Sequence, residues 1–263
     1  MTNKGRAAGA VEVHAVVEGQ QDAPVVLLLG SLGSTVEMWK PQVPALAQHF
    51  RVVRFDTRGH GRSPVPPGPY VIDDLVDDAV ALLDRLGVES ASLVGLSLGG
   101  MTAMRLAARE PHRVDRLALL CTSAHLGPAS NWAERAVTVR ERGTVAVAPT
   151  VAGRWLTDSA RAADPTAVAE LERMIASTPS EGYASCCEAI GAMDLRADLA
   201  SISAPTLVIA GADDPSTPPP HLHAIADAVA GASLIVLPSA AHLANLEQPE
   251  AVNAALLAHL LAS

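Results

Sequence analysis

The sequence predicts an α/β protein: a doubly wound, mostly parallel sheet with a helical cap inserted between two of its later strands. Three observations carry this expectation. Continuous apolar runs, of the kind found in strands buried on both faces, alternate along the chain with segments of helical spacing. Aromatic residues make up only 3% of a 263-residue chain that is 49% hydrophobic, so Leu, Val and Ala must fill the interior, as they do between a parallel sheet and its helices. The strand pattern lapses from about residue 124 to about 200 and then resumes. A chain of this length can bury one large core and no long polar linker divides it, so a single domain over 1–263 carrying that insertion is expected.

Taken in order, "VEVHAVVEG" alternates as a β-strand, and "PVVLLLG" reads as a central strand followed by a glycine-containing loop. "STVEMWKPQVPALAQHF" has helical spacing despite two prolines, and "RVVRFD" is the next strand, running into the turn-rich "TRGHGRSPVPPGPY". Asp73 and Asp74 open a helix whose apolar side carries Leu75, Val76, Val80, Leu82, Leu83 and Leu86, with Gly87 as its stop. The strand "ASLVGL", the helix "LGGMTAMRLAAREP" and the strand "RVDRLALLCTS" continue the alternation. Helical segments such as "WAERAVTVRERG" and "DPTAVAELERMIAS" then follow one another, after which "PTLVIAG", a helix near "HLHAIADAVA", "SLIVLP" and "PEAVNAALLAHLLA" restore it. Right-handed crossovers make such a series a doubly wound sheet whose ligands sit at the carboxyl ends of the strands.

The formal net charge is -9 with no dense basic run, which gives nucleic-acid binding no electrostatic footing. No secretory signal pattern opens the chain and no uncharged apolar stretch approaches the ~18 residues of a membrane span, so a cytoplasmic protein without membrane contact is expected. Cys121, Cys186 and Cys187 contain no C-x-x-C spacing and are an odd number, which points to reduced, packed thiols rather than to a disulfide framework or a zinc site.

Gly95-Leu96-Ser97-Leu98-Gly99 is a G-x-S-x-G pattern placed between a strand and a helix. A turn that sharp requires small neighbours and thrusts the serine oxygen into the open. A serine hydroxyl is a poor nucleophile at neutral pH, so Ser97 calls for a histidine base and an orienting carboxylate. Among nine histidines, His242 in "SAAHLANLEQPE" lies in a loop between the last strand and the last helix, within reach of Ser97. His221 and His223 begin a helix at an offset that does not share a face and are expected to face solvent; His60 is expected to brace its loop; His125, where the cap begins, is a candidate substrate contact. For the carboxylate, "LVIAGADDPSTPP" offers Asp213 and Asp214, and Pro215 does not choose between them.

The order serine, aspartate, histidine is that of the α/β-hydrolases, and the whole chain resembles that fold family. More narrowly, "GSLGSTVEMWKPQ", "RFDTRGHGRSPVPPGPY", "GLSLGGM", "NWAERAVTVRERG", "EGYASCCEAI", "AGADDPSTPP" and "AAHLANLEQPE" resemble the 3-oxoadipate enol-lactonase family. The resemblance implies that the acid is the third residue after Gly211, Asp214, with Asp213 as its solvated neighbour. It also implies that the backbone N–H groups of Leu32 and Leu98 form an oxyanion hole. The first loop has Gly30 and Ser31 where the wider fold has His-Gly, a departure that is itself enol-lactonase-like.

What the resemblance implies for function is Ser-His-Asp hydrolysis of 3-oxoadipate enol-lactone to 3-oxoadipate, in the breakdown of protocatechuate and catechol, with no metal or organic cofactor. Such a substrate carries a free carboxylate, which an acidic protein must hold with a local cation. The cap offers Arg135, Arg140, Arg142, Arg154 and Arg161, and a guanidinium fork suits a carboxylate. Ser31, Trp132 and Arg135 are the expected substrate contacts. A broad carboxylesterase or cofactor-free perhydrolase on the same triad, and a non-catalytic small-molecule receptor, are the competing readings.

Overall fold

In a computed structural model, the structure describes residues 9–262. The amino-terminal stretch read for a secretory signal falls mostly in residues 1–8 and to that extent lies outside the described residues. Among the described residues seven strands form one sheet: β1 (Ala15–Glu18), β2 (Val25–Leu29), β3 (Arg51–Phe55), β4 (Ala91–Leu96), β5 (Val114–Leu120), β6 (Thr206–Gly211) and β7 (Ser233–Leu237). Their order is β1-β3-β2-β4-β5-β6-β7, with β1 antiparallel to β3 and every other neighbouring pair parallel. β2, β4, β6 and the second half of β5 are covered on both faces, so their side chains are almost all apolar without alternation, whereas Asp115 and Arg116 near the start of β5 reach toward solvent; Leu27, Leu28, Leu93 and Leu119 are wholly buried. Truncating any one of them to Ala is expected to cost about 2–5 kcal/mol through lost burial and the cavity left behind.

Between β2 and β3 the expected continuous helix is absent. A short 3-10 turn at Val36–Trp39 and the four-residue α1 (Val43–Leu46) take its place. Pro41 and Pro44 account for the break, since neither ring can donate a helical N–H and each restricts the residue before it. The next helix, α2 (Ile72–Arg85), starts where Asp74 accepts the Val71 N–H at 2.9 Å and ends before Gly87, whose φ of +68° suits a left-handed stop. The central helix α3 (Leu98–Arg109) packs on β2, β4 and β5.

Between β5 and β6 come five helices: α4 (Ala129–Arg142), α5 (Ala148–Trp155), α6 (Asp158–Ala163), α7 (Pro165–Ala176) and α8 (Ser180–Ala192). α4 lies along α8, and α5 along α7. The chain closes with α9 (Pro219–Ala228) after β6, then α10 (Ala244–Glu247) and α11 (Pro249–Leu260) after β7. Among the described residues no helix is long and apolar enough to cross a membrane. All three cysteines are free and buried.

Candidate active site at the carboxyl edge of the sheet

Ser97 occupies the turn between β4 and α3 with φ 56° and ψ −117°, a conformation that a non-glycine residue adopts only when its surroundings impose it. Those surroundings are explicit. The Ser97 N–H donates to the Leu120 carbonyl at 3.0 Å, and the Thr122 hydroxyl donates to the Ser97 carbonyl at 2.7 Å. Gly95 and Gly99 lie so close that a Cβ on Gly95 would collide with the Gly99 backbone, and one on Gly99 would collide with the Leu29 carbonyl. The flanking glycines are therefore required by close backbone approach.

The acid and the histidine are brought together in the same way. Gly211 ends β6 against the loop after β7, where a Cβ would strike the carbonyls of Ala240 and Ala241. Across that contact the N–H of Ala212 donates to Leu237 and that of Asp213 to Ala240, each at 2.9 Å. Asp214, 2% exposed, then meets His242, 3% exposed, with His242 Nδ1 2.8 Å from Asp214 Oδ2. A carboxylate accepts, so the proton sits on Nδ1 and Nε2 is left bare. The other carboxylate oxygen, Oδ1, accepts the N–H groups of Ser216 and Thr217, and the Thr217 hydroxyl donates to Oδ2 at 2.7 Å. Burial pushes the Asp214 carboxyl up, but the neighbouring His242 and these hydrogen bonds outweigh it and hold the group below the ordinary carboxylate value. Asp213 is exposed and takes no part.

Ser97 and His242 line a cavity of about 190 Å³ together with Ser31, Leu32, Trp132 and Arg135. Among the described residues no hydrogen bond joins Ser97 Oγ to His242; the two side chains meet as walls of this cavity, and apo sites of this kind commonly tighten when substrate binds. The turn at Gly30–Ser34 is held by the Ser34 N–H and hydroxyl, which donate to the Ser31 carbonyl at 3.1 and 2.8 Å. Ser31 N–H donates to Met38 Sδ and Gly33 N–H to His60 Nε2. The N–H groups of Leu32 and Leu98, on two buried residues, have no intramolecular acceptor among the described residues.

The cap arginines divide sharply. Arg140 is clamped by Glu181 and Glu188, Arg161 pairs with Asp158, and Arg142 is exposed away from the cavity. Arg135 and Arg154 reach the cavity wall. Arg135 lies over the Trp132 ring at 4.8 Å, and among the described residues no carboxylate pairs with it. The cavity also has walls that the sequence did not single out, including Thr217, Trp155 and Tyr183. Tyr183 is wholly buried and among the described residues its hydroxyl has no hydrogen-bond partner, although Arg135 is near enough to oppose the upward push of burial on that phenol.

Two expectations need correction. His125 is exposed, turns Nδ1 toward the Met193 carbonyl at 3.2 Å and is not part of the cavity wall. His223 faces solvent, but His221 is half-buried, with Nδ1 2.7 Å from Ser123 Oγ. Ser123 lies just past β5, and β6 is the neighbouring strand, so the helix that follows β6 starts beside it. His60 does brace its loop. A larger and more open groove of about 850 Å³ between the cap and the first loop, lined by Met38, Leu171 and Met174 among others, contains no serine-histidine pair.

A serine forced into a strained turn on the cavity wall, with a histidine oriented by a buried carboxylate on the same wall, defines a hydrolase of the α/β class, and the comparisons agree. Residues 24–249 match the alpha/beta hydrolase fold family, and the chain belongs to it. It is 41% identical to 3-oxoadipate enol-lactonase 2 of Acinetobacter baylyi over 235 residues, 89% of this chain and 88% of that one. The crystal structure of the enol-lactonase from Burkholderia xenovorans LB400 superposes with a TM-score of 0.93 at 41% identity, covering 95% of this chain and 96% of that one. A malate-bound thermophilic esterase from Thermogutta terrifontis gives 0.90 at 31% identity, covering 95% and 93%. The resemblance expected from the first loop and the cap segments thus extends over 88% of the Acinetobacter baylyi chain and 96% of the Burkholderia xenovorans chain.

Proposed function

We propose that this ester or lactone hydrolase opens 3-oxoadipate enol-lactone to 3-oxoadipate through a Ser97 acyl-enzyme. The observation that carries the substrate reading is Arg135: a guanidinium without a carboxylate partner among the described residues, on the wall of the cavity that holds Ser97 and His242. The substrate's free carboxylate supplies the missing partner, and the small cavity suits a compact lactone better than a long acyl chain. Ser31 and Trp132 complete the contacts.

In this mechanism Ser97 Oγ attacks the lactone carbonyl carbon while His242 Nε2 takes its proton. The negative charge that develops on the carbonyl oxygen is met by the Leu32 and Leu98 N–H groups, each such donor being worth about 3 kcal/mol in the transition state. Asp214 holds the proton on Nδ1 and stabilises the imidazolium that forms. His242 then protonates the departing ring oxygen, which leaves as an enol and becomes a ketone, so the ring does not readily re-form. A water molecule deprotonated by His242 releases the acid from Ser97. None of these steps calls for a cofactor, and the reaction would take its place in aromatic-acid breakdown.

The deciding experiment incubates purified protein with enol-lactone generated in situ and compares its disappearance with hydrolysis of p-nitrophenyl esters. Strong turnover of the lactone with weak turnover of the esters is expected. Inactivity on the lactone with strong ester hydrolysis would assign a general carboxylesterase instead, and a wild type that binds the lactone but never turns it over would assign a receptor.

A further inference from the structure

A second buried histidine lies beside the cavity and has no part in the proton transfers. His60, in the loop after β3, is wholly buried, and burial lowers its imidazole to about 4 against the upward pull of the Arg58 carbonyl and Asp56. The ring is therefore neutral at neutral pH, and both nitrogens are engaged: Nε2 lies 2.9 Å from the Gly33 nitrogen and Nδ1 3.2 Å from the Arg58 carbonyl oxygen. A peptide N–H can only donate and a carbonyl can only accept, so Nε2 is the bare acceptor and Nδ1 carries the proton.

The position of that acceptor matters because Gly33 directly follows Leu32, whose own N–H has no intramolecular acceptor among the described residues. Gly33 sits at φ +83°, the residue on which the first loop turns, and a Cβ there would press on the Tyr183 ring at 3.1 Å. His60 is itself clamped: its ring stacks on Tyr183 with centroids 6.5 Å apart, and the backbones of Gly59 and Gly182 touch with no room for a Cβ on either. Without Nε2 the Gly33 N–H would be a buried donor lacking an acceptor, and the turn would rotate to find one.

We propose that His60 is the positioning residue of the oxyanion hole, fixing the Gly30–Ser34 turn through Gly33 so that the Leu32 N–H faces the cavity. This rests on the reading of Leu32 and Leu98 as the oxyanion donors. A donor misaimed by rotation of the turn weakens the tetrahedral state far more than the planar ground state, so the effect belongs in turnover rather than in binding.

The test measures His60→Leu, His60→Gln and Ser97→Ala against p-nitrophenyl acetate, with phenylboronic acid as a probe that adds to a serine hydroxyl to give a tetrahedral adduct. His60→Leu is expected to lower kcat about tenfold or more and to weaken boronate inhibition by a similar factor, with KM within about twofold of wild type. His60→Gln, whose amide oxygen reaches toward the place of Nε2, is expected to recover most of both. If His60→Leu keeps kcat and boronate affinity while Ser97→Ala is inactive, Leu32 is placed without His60 and the proposal is overturned; if Ser97→Ala keeps its turnover, the reading of the whole site falls instead. Should His60→Leu fail to fold, His60→Gln is compared with His60→Asn, whose amide is too short to reach Gly33, and equal activity of those two overturns the proposal.

Discussion

The carboxyl edge of the sheet and the cap helices beyond it build one cavity by different means. At the edge, position is set by backbone meeting backbone: Gly95 against Gly99, Gly99 against Leu29, Gly211 against Ala240 and Ala241. Buried hydrogen bonds then fix what those contacts bring together. The cap contributes side chains from amphipathic helices tied down by half-exposed ion pairs such as Arg140 with Glu181 and Glu188. A single added methyl group disrupts the first kind of construction, whereas a residue of the second kind can be exchanged with little effect on folding. On the proposed function, reaction chemistry belongs with the edge and substrate choice with the cap.

The largest effects are expected at the edge. Ser97→Ala should remove about 10⁴-fold or more of the activity on every substrate, lactone and neutral ester alike, without changing the cooperativity of unfolding. Asp214→Asn should lose about 10⁴-fold, because an amide in that place leaves His242 free to take the wrong tautomer. Steady-state kinetics on both substrate types checks these outcomes, and an Asp214→Asn enzyme within tenfold or so of wild type would give the orienting role to another group.

Next in size is an effect of His60 on stability. Its imidazole titrates at about 4 in the fold and near its ordinary value of about 6.5 when unfolded, so between those values the unfolded chain binds more protons. Stability therefore rises with pH across that window, is complete above it and is lost as pH falls toward 4, by at most roughly 3 kcal/mol. Urea unfolding of wild type and His60→Gln between about pH 4 and pH 7 measures it; parallel profiles for the two proteins would contradict a buried neutral ring.

The cap gives the smaller and more selective effect. Arg135→Ala should lower kcat/KM for the enol-lactone roughly tenfold to a hundredfold, the ~1.5–3 kcal/mol of a hydrogen bond to a charged group, while a neutral ester is turned over as before. Arg154→Ala, the other cavity arginine, is the natural comparison. An Arg135→Ala enzyme unchanged on both substrates would remove the carboxylate-binding role from that residue.

The same contrast explains what could be read without coordinates. The strands and the G-x-S-x-G turn announce themselves because strands covered on both faces are largely apolar and close backbone approach demands glycine, so local physics writes them into local sequence; His242 is legible from its place between the last strand and the last helix, whereas the choice of Asp214 over Asp213 rests on the family resemblance. Pro41 and Pro44 were visible too, yet their helix-breaking effect was outweighed by apolar spacing that α1 only briefly honours. Arg135 is singled out beside Trp132 among five cap arginines, but the reason it is free to act is not legible, since nothing along the chain shows that Glu181 and Glu188 occupy Arg140 or that Asp158 occupies Arg161. Tyr183 and Thr217 escaped for a related reason. Each matters through a partner distant in space or through a single hydroxyl, and neither leaves a periodic signal.

Thr217 offers the finest probe of how the edge is tuned. Its hydroxyl and the His242 Nδ1–H converge on the same oxygen, Asp214 Oδ2, at 2.7 and 2.8 Å. The two donors share the negative charge on that atom. In Thr217→Val the carboxylate keeps the backbone N–H bonds to Oδ1 but loses a donor at Oδ2. That hydroxyl is one of the hydrogen bonds that hold the Asp214 carboxyl below its ordinary value, so in the variant the acid is less firmly held as an anion and fixes His242 less tightly. A fall in kcat of about tenfold or less and a loss of stability of about 1 kcal/mol are expected, and Thr217→Ser, which keeps the hydroxyl, should recover both. An unchanged kcat in Thr217→Val would show that the Thr217 hydroxyl does no more than fill space beside Asp214.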